Sequence, residues 1–321
     1  MKTHLAAVLT GPRTFRLERR PAPPLGSRQV RVRLEGSGVC ASSLPVWEGR
    51  SWFSYPLPAG APGHEGWGRI DEVGAEVTRL RPGDRVALLS PQAFAETDTT
   101  DADSEVPLPP ELDGQPFPGE ALGCAMNAFE RSRIVAGEWV AIVGVGFLGA
   151  LLTQLATDAG ARVIAVSRRE FSLSLGRRMG ATEALPLGDR RAVAGAVREI
   201  TGGSGCPCVI EATGLQEPLD VATDLTAERG RLVIAGYHQD GPRQVDLQVW
   251  NWRGLDVTNA HERDPQRYVA GIRAAVAAVA SARLNPLPLY THRVNLGDLS
   301  SAFAGVRERP DGFLKALATY E

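Results

Sequence analysis

The fold of this chain is decided by residues 138–160, which read EWVAIVGVGFLGALLTQLATDAG. The first six residues, which are apolar after Glu138, are typical of a buried strand, and residues 147–159 have the composition of a helix that ends at Gly160. Between them lies the turn Gly144-Val145-Gly146-Phe147-Leu148-Gly149, which has the pattern G-x-G-x-x-G. A glycine-rich turn between a strand and a helix predicts a binding site for a dinucleotide.

Each glycine of this turn has a separate physical task. Gly144 permits the tight turn, Gly146 lets a pyrophosphate approach the backbone, and Gly149 lets the helix pack closely on the strand. The phosphates then meet the positive N-terminus of the helix, where Phe147 and Leu148 lie. We predict that these five residues bind the cofactor. The alternative is a glycine-rich turn without a ligand in an ordinary α/β domain.

The stretch that follows the turn alternates strands with helices. Apolar runs at residues 162–166, 208–212 and 231–235, and a weaker one at 255–258, are separated by helical segments. This alternation predicts a doubly wound parallel sheet and therefore an α/β fold. A long helix rich in Ala and Val is expected from about residue 265 to residue 282.

The residues before the turn have a different pattern. Up to about residue 90, short segments alternate apolar and charged side chains with period two, as in residues 29–35, 69–73 and 84–88. Gly and Pro separate these segments, so we predict an all-β region that forms a small barrel. Residues 97–119 are acidic and rich in proline, and we expect an irregular connection there with one short strand at most.

Length, charge and cysteine content limit the class of protein. The chain has 321 residues, a formal net charge of −2 and four cysteines. This length favours two domains, and the balanced charge argues against nucleic acid as a partner. No run of eighteen apolar residues occurs, so we expect no membrane span. Few cysteines and an N-terminus without an apolar leader core predict a reducing, cytoplasmic location.

The end of the second strand of the predicted sheet bears on the choice of cofactor. It reads Ser167-Arg168-Arg169, where an enzyme that prefers NAD usually carries a carboxylate for the ribose 2′-hydroxyl. Ser167 cannot supply that charge, whereas guanidinium groups bind a 2′-phosphate strongly. We therefore predict NADP(H), bound through these three residues. The alternative is a pair of solvated arginines near the start of a helix.

Three residues lie in local settings that suggest one metal site. They are Cys40, His64 and Cys124, which lie in the stretches GVCAS, GHE and GCA. Two thiolates and an imidazole leave a tetrahedral zinc ion with one open position, as catalytic zinc requires. Zinc beside a nicotinamide cofactor predicts hydride transfer to or from a carbonyl group. The alternatives are two cysteines in small-residue packing and a histidine in a turn.

Taken in order, these motifs resemble the medium-chain dehydrogenase/reductase superfamily, in its zinc-dependent alcohol dehydrogenase branch. The resemblance covers nearly the whole chain and rests on residues 38–40, 62–66, 81–86, 93–96, 123–124 and 144–149. It implies a GroES-like β-barrel catalytic domain in residues 1–122 and a Rossmann domain in residues 123–260. A C-terminal segment, residues 261–321, is then expected to return to the catalytic domain.

The resemblance also implies roles for single residues. Cys40, His64 and Cys124 match the family's catalytic zinc ligands, a Cys₂His set known from alcohol dehydrogenases. Glu65 matches a carboxylate that lies behind the metal and coordinates it transiently. Ser42 matches the hydroxyl that bonds the substrate oxygen and passes its proton. The implied catalytic set is therefore Ser42, Cys40, His64 and Glu65.

The chain departs from the family pattern at two points. Ser43 stands where relatives often have an Asp that orients the histidine ligand. No cysteine occurs between Asp84 and Cys124, so the four-cysteine lobe that binds a structural zinc is absent, and we predict one zinc per chain. Cys206 and Cys208 are expected to pack internally or to lie at the surface. Three histidines carry no motif and receive no role: His238, His261 and His292.

The sequence thus predicts a zinc-dependent oxidoreductase that transfers a hydride between NADP(H) and an alcohol or carbonyl compound. A second hypothesis keeps the fold and cofactor but reduces a conjugated C=C bond or an imine, with a zinc that takes no part in catalysis; its motive is Ser43. A third hypothesis is a cofactor-binding protein without turnover, against which the intact set of Ser42 and the zinc ligands argues. The expected partners are a small-molecule substrate and further copies of the chain, as a homodimer or homotetramer.

Overall fold

The computed structural model of the protein describes residues 3–320, which divide into two compact units. The first unit contains the chain up to Gly123, Asp264–Ser281, and the residues from Pro286 onward. The second contains Cys124–Arg263 and Ala282–Asn285. The domain boundaries predicted above, at residues 122 and 260, are retained as a proposal.

The N-terminal part of the first unit is built from strands. Its elements are β1 (Thr3–Gly11), β2 (Thr14–Pro21), β3 (Gln29–Val39), α1 (Leu44–Glu48), β4 (Glu65–Val73), β5 (Arg85–Leu88), β6 (Thr97–Asp101) and β7 (Glu105–Pro107). β1 and β2 form an antiparallel pair, while β3, β4, β5 and β7 are consecutive in a second sheet that β6 joins by pairing with β3. The helix α2 (Gly119–Ser132) follows.

The prediction for residues 97–119 is wrong, since this stretch holds two strands rather than one at most. β6 pairs antiparallel with β3, and β7 pairs antiparallel with β5. The sequence of β6 is entirely Thr and Asp, so no apolar residue marks its inner face. Asp98 and Thr100 are nevertheless buried, and Asp98 accepts a hydrogen bond from the Ser90 hydroxyl. A polar strand of this kind is satisfied by tertiary contacts that no periodicity indicates.

The second unit is a six-stranded parallel sheet with helices between its strands. Its elements are β8 (Trp139–Val143), α3 (Phe147–Asp158), β9 (Arg162–Ser167), α4 (Glu170–Arg178), β10 (Glu183–Pro186), α5 (Arg190–Ile200), β11 (Cys206–Glu211), α6 (Gln216–Leu225), β12 (Thr226–Ile234), α7 (Leu247–Arg253) and β13 (Asp256–Asn259). The strand order is β10-β9-β8-β11-β12-β13, and each neighbouring pair is parallel. The predicted doubly wound Rossmann sheet is confirmed.

The C-terminal part returns to the first unit. It consists of α8 (Pro265–Ala280), β14 (His292–Val294), α9 (Leu299–Glu308) and β15 (Ala316–Thr319). β15 pairs antiparallel with β3, and β14 pairs parallel with β15. α9 packs its Phe303 into a buried cluster with Trp47 and Phe94, in which the Trp47 and Phe303 rings stack at 5.6 Å. No helix within residues 3–320 combines the length and apolar character that crossing a membrane needs.

Candidate zinc and dinucleotide sites

Two neighbouring strand ends carry predicted metal ligands of the first unit. β3 and β4 are antiparallel, with Gly38 opposite Glu65. Cys40 follows the last residue of β3, and His64 precedes the first residue of β4. Because an antiparallel neighbour begins where its partner ends, these two side chains lie at the same edge of the sheet.

Cys40, His64 and Glu65 form one group of metal-ligating side chains. Their ligand atoms all lie within 4.8 Å of one another, with Glu65 buried and the other two half-buried. Sulfur, imidazole nitrogen and carboxylate oxygen are the donors that zinc takes in proteins. The chemistry of this donor set therefore fits a zinc ion.

The backbone orients the imidazole of His64. Its Nδ1 lies 2.9 Å from the carbonyl oxygen of Pro62. A carbonyl only accepts hydrogen bonds, so Nδ1 carries a hydrogen and Nε2 is the atom that faces the group of ligands. Ser43 Oγ donates to the same carbonyl at 3.4 Å. The Pro62 carbonyl thus orients the imidazole, although position 43 carries no carboxylate.

Negatively charged side chains surround the imidazole of His64. Burial lowers the pKa of His64, but its hydrogen bond with Cys40, and then the charges of Cys40, Glu120 and Glu65, raise that pKa to about 10. Surroundings that favour a proton on the imidazole also favour a metal cation, which would take the place of that proton on Nε2.

Ser42 lies between the two neighbouring ligands. Its Oγ is 3.2 Å from Cys40 Sγ and 3.3 Å from His64 Nε2, on the short 3₁₀ turn Ala41–Ser43 that follows β3. A hydroxyl both donates and accepts, so at this place it is suited to exchange a proton with a substrate oxygen. The structure therefore brings together four of the predicted site residues: Cys40, Ser42, His64 and Glu65.

Glu65 is paired with a residue that the sequence analysis missed. Lys315 Nζ lies 2.6 Å from Oε1 and 2.5 Å from Oε2 of Glu65, and both residues are buried. β15 has Ala316 opposite Val39 of β3, which places Lys315 beside the strand ends described above. A Cβ on Gly38 would lie 1.7 Å from Glu65 Oε2, so only glycine leaves room for this carboxylate.

One signal in the sequence does distinguish Lys315. The chain has 33 arginines but only two lysines, Lys2 and Lys315. A lysine in a chain that otherwise uses arginine indicates a place where a compact ammonium group fits and a planar guanidinium does not. Burial lowers the pKa of Lys315, but the charges of Glu65 and Cys40 raise it above its ordinary value, so the ammonium stays charged.

Lys315→Met is expected to destabilise the protein by about 3–5 kcal/mol, because it leaves the Glu65 carboxylate buried without its cation. Denaturant unfolding of the parent and the variant measures this loss. Lys315→Arg tests whether charge alone is sufficient, and the double change Glu65→Gln with Lys315→Met removes both charges and should recover part of the loss. A Lys315→Met protein as stable as the parent would contradict this role.

The remaining predicted ligand, Cys124, lies on α2 and is the first residue of the second unit. Its part in metal binding stays a prediction. Cys206 and Cys208 are buried on β11, and burial raises the pKa of each thiol to about 12. They are therefore packed thiols, poorly suited to act as nucleophiles or ligands.

The glycine-rich turn has the backbone that a dinucleotide site needs. Gly144 has φ +101°, in the region that favours glycine, and a Cβ there would lie 2.2 Å from Thr213 Cγ2. A Cβ on Gly149 would lie 2.0 Å from the Gly144 carbonyl oxygen, so α3 packs against the turn. Around Gly146 a Cβ would meet no atom within 4 Å, which leaves room for a ligand. α3 begins at Phe147 with no side chain capping its N-terminus, so its amide groups suit a phosphate.

The residues predicted to contact the 2′-position of the cofactor's adenosine ribose lie at the end of β9. Ser167 is the last residue of β9 and is buried. Arg168 forms an exposed ion pair with Glu217 on α6, and Arg169 holds its guanidinium carbon 5.6 Å from the centre of the Phe171 ring. No carboxylate stands at the strand end itself. An exposed ion pair contributes little free energy, so a phosphate can compete with Glu217 for Arg168.

Two family models match the chain. The alcohol dehydrogenase GroES-like domain matches residues 26–129, and the zinc-binding dehydrogenase domain matches residues 148–276. Together they cover more than two thirds of the chain.

Individual proteins match over almost the full length. Sorbitol dehydrogenase of Gallus gallus is 28% identical over an alignment of 335 positions, which covers 94% of this chain and 92% of that protein. L-threonine 3-dehydrogenase of Anaeromyxobacter dehalogenans (strain 2CP-C) is 25% identical over an alignment of 330 positions, which covers 91% of this chain and 92% of that protein. The crystal structure of a protein from Sinorhizobium meliloti 1021 bound to NADP has the same fold, with a TM-score of 0.86, 23% identity and 100% of both chains covered.

The fold, the ligand group and these matches define an oxidoreductase of the dehydrogenase class. More narrowly, the chain belongs to the medium-chain dehydrogenase/reductase superfamily, in its zinc-dependent alcohol dehydrogenase-like branch. The resemblance drawn from the motifs is thereby confirmed.

Proposed function

We propose that this protein is a zinc-dependent oxidoreductase that transfers a hydride between NADP(H) and a small-molecule alcohol or carbonyl compound. The observation that carries the proposal is the grouping of Cys40, His64 and Glu65 around the Ser42 hydroxyl, in a chain that also has a dinucleotide turn. The relatives named for sorbitol and L-threonine support a substrate with a hydroxyl group.

Each residue of the first site has a proposed task. Cys40, His64 and Cys124 would hold the zinc, with Glu65 as a carboxylate that coordinates it transiently. When bound, the zinc supplies a Lewis acid for the substrate oxygen. Ser42 Oγ donates a proton to that oxygen in reduction and accepts it in oxidation.

The second site has a matching set of tasks. The proposed cofactor contacts are made by Gly144, Gly146, Phe147, Leu148 and Gly149 for the pyrophosphate, and by Ser167, Arg168 and Arg169 for the 2′-phosphate. The nicotinamide ring supplies or accepts the hydride when the cofactor is bound. The NADP-bound structure from Sinorhizobium meliloti 1021 gives a precedent for this cofactor on the same fold.

Reduction of a conjugated C=C bond or an imine, the alternative function, is less well supported by the structure. Its motive was the missing Asp at Ser43, which would leave the histidine ligand without an orienting partner. Because Pro62 O accepts from His64 Nδ1 at 2.9 Å, that motive is weakened. A cytoplasmic location and a homodimer or homotetramer are retained as predictions.

The NADP(H) preference is tested by changing the end of β9. The double change Ser167→Asp with Arg168→Ala should weaken NADPH and improve NADH, because the carboxylate repels a 2′-phosphate but accepts from a free 2′-hydroxyl. Loss of one bidentate arginine–phosphate contact should cost about 1.5–3 kcal/mol. That free energy corresponds to roughly ten- to a hundred-fold in affinity, measured as the Kd of each cofactor by fluorescence titration.

The matched control is Arg177→Ala, which removes an exposed arginine of α4 that pairs with Glu170. It should leave both cofactor affinities within about twofold of the parent, as expected for a surface change away from the site. If the unmodified enzyme used NADH and NADPH equally well at equal concentration, the interpretation of Ser167, Arg168 and Arg169 would be wrong.

A further inference from the structure

A buried network in the second unit joins the two loops that follow β11 and β12. Glu211, the last residue of β11, is fully buried. Its Oε1 accepts from the backbone nitrogens of Thr213 at 2.6 Å and Gly214 at 3.0 Å. Its Oε2 lies 3.0 Å from Nε2 of His238, which belongs to the loop after β12. One carboxylate therefore holds both loops.

Arg243 closes the network from the other side. Its Nε donates to Nδ1 of His238 at 2.8 Å, and a terminal nitrogen donates to the Gly214 carbonyl oxygen at 2.7 Å. A guanidinium only donates, so Nδ1 of His238 accepts and Nε2 carries the hydrogen that goes to Glu211. His238 is thus a neutral imidazole of fixed tautomer, held between a carboxylate and a guanidinium that also pairs with Asp240.

The two loops touch so closely that side chains do not fit between them. A Cβ on Gly236 would lie 2.2 Å from the Gly214 nitrogen, and a Cβ on Gly214 would lie 2.4 Å from the Tyr237 carbonyl oxygen. Gln216 and Gln244 continue the contact, since Gln216 Nε2 donates to the Gln244 carbonyl at 2.8 Å and the Gln244 nitrogen donates to Gln216 Oε1 at 2.9 Å. The two loops therefore form one wall.

This wall lies at the carboxyl edge of the sheet. From β8 the chain proceeds to β9 and β10 on one side and to β11, β12 and β13 on the other, so the strand order reverses between β8 and β11. Glu211 stands opposite Val143 at this point. Dinucleotides bind across such a crevice, with one half of the ligand on each half of the sheet. With the adenosine half at Ser167 at the end of β9, as proposed above, the wall after β11 and β12 would face the nicotinamide half.

We propose that His238 is a positioning residue for the nicotinamide half of the cofactor. It acts through Glu211 and Arg243. These two residues hold the two loops in the position in which the loops contact the nicotinamide and its ribose. This inference rests on the proposed nicotinamide cofactor, and it assigns a task to a histidine that carries no sequence motif.

The test compares two ligands on the full-length protein. NADPH contains both halves of the cofactor, whereas 2′-phospho-ADP-ribose lacks the nicotinamide. His238→Leu should raise the Kd of NADPH roughly tenfold or more, since hydrogen bonds to two charged groups are lost. The Kd of 2′-phospho-ADP-ribose should stay within about twofold of the parent, because the adenosine half does not use this wall.

His238→Gln separates a positioning role from a merely structural one. The glutamine amide nitrogen donates to Glu211 and its oxygen accepts from Arg243, so this variant should regain most of the NADPH affinity. Arg243→Gln is the second variant, in case His238→Leu does not fold, and should give the same selective loss. His292→Leu changes an exposed histidine of β14 in the first unit and should leave both affinities unchanged.

Equal weakening of both ligands by His238→Leu, or a His238→Gln protein as weak as His238→Leu, would overturn the inference. A parent protein that binds NADH rather than NADPH would contradict the proposed cofactor preference alone. The same comparison then runs with NADH and ADP-ribose, and a selective loss of NADH would still support the role of His238. A parent protein that binds none of these ligands would overturn both proposals.

Discussion

Cys40→Ala is expected to yield a protein without bound zinc and with turnover reduced by roughly 10³-fold or more. The metal supplies several kcal/mol of charge stabilisation at the substrate oxygen, and each 1.36 kcal/mol corresponds to a factor of ten in rate. Cys124→Ala should have the same effect if Cys124 is the remaining protein ligand. Metal analysis of the purified proteins, together with steady-state rates, measures both changes, and the parent should contain one zinc per chain.

The matched control is Cys206→Ala, which makes the same chemical change at a buried thiol on β11. It should keep one zinc per chain and most of the turnover, because that thiol is packed inside the sheet and lies outside the predicted ligand set. Two zinc ions per parent chain would contradict the prediction, and so would a Cys40→Ala protein that retains zinc and full activity.

The dinucleotide-binding half of the fold could be predicted because its signals are local. Residues 138–160 carry a strand, a turn and a helix in sequence, and the spacing of the three glycines in the turn can be recognised within that segment. The positive φ of Gly144 and the close approach at Gly149 involve residues of the same turn or its direct neighbours in the sheet. The spacing of apolar residues and the positions of glycine are sufficient to predict features of this kind.

Contacts between distant segments could not be predicted in the same way. Lys315 reaches Glu65 because β15 pairs with β3, and that pairing depends on the whole sheet rather than on any pattern near residue 315. The β6 strand was missed because its buried Asp98 is polar and is satisfied by Ser90. In both cases the role of a buried charged or polar group depends on its partner. The position of that partner cannot be predicted from a single sequence.

His238 shows the same limit within the Rossmann unit. It lies in a loop after β12 with no flanking motif, so nothing in its neighbourhood distinguishes it from a surface histidine. Its partners Glu211 and Arg243 approach it from a strand end and from the far part of its own loop. The sequence does predict that a ligand binds at the carboxyl ends of the parallel strands. The His238 network lies at those ends, which becomes evident once the order of the strands is known.

Ser42→Ala is expected to lower turnover by roughly 10²–10⁴-fold, which is the usual contribution of a positioned proton-transfer group. Zinc content and the Kd of NADPH should stay as in the parent, because the hydroxyl is neither a metal ligand nor part of the dinucleotide turn. The expected loss follows from the position of Ser42 Oγ, 3.2 Å from Cys40 Sγ and 3.3 Å from His64 Nε2, where it would reach a substrate oxygen on a zinc ion held by these two residues.

Ser43→Ala is the control for this change, because it removes a neighbouring hydroxyl that donates a hydrogen bond to the Pro62 carbonyl at 3.4 Å. It should cost turnover far less than Ser42→Ala, since His64 Nδ1 keeps its own bond to that carbonyl at 2.9 Å. Unchanged turnover in Ser42→Ala would mean that water or Ser43 carries the proton. A large loss in Ser43→Ala with a small loss in Ser42→Ala would assign the transfer to Ser43, and the pair of variants therefore decides which hydroxyl exchanges the proton with the substrate.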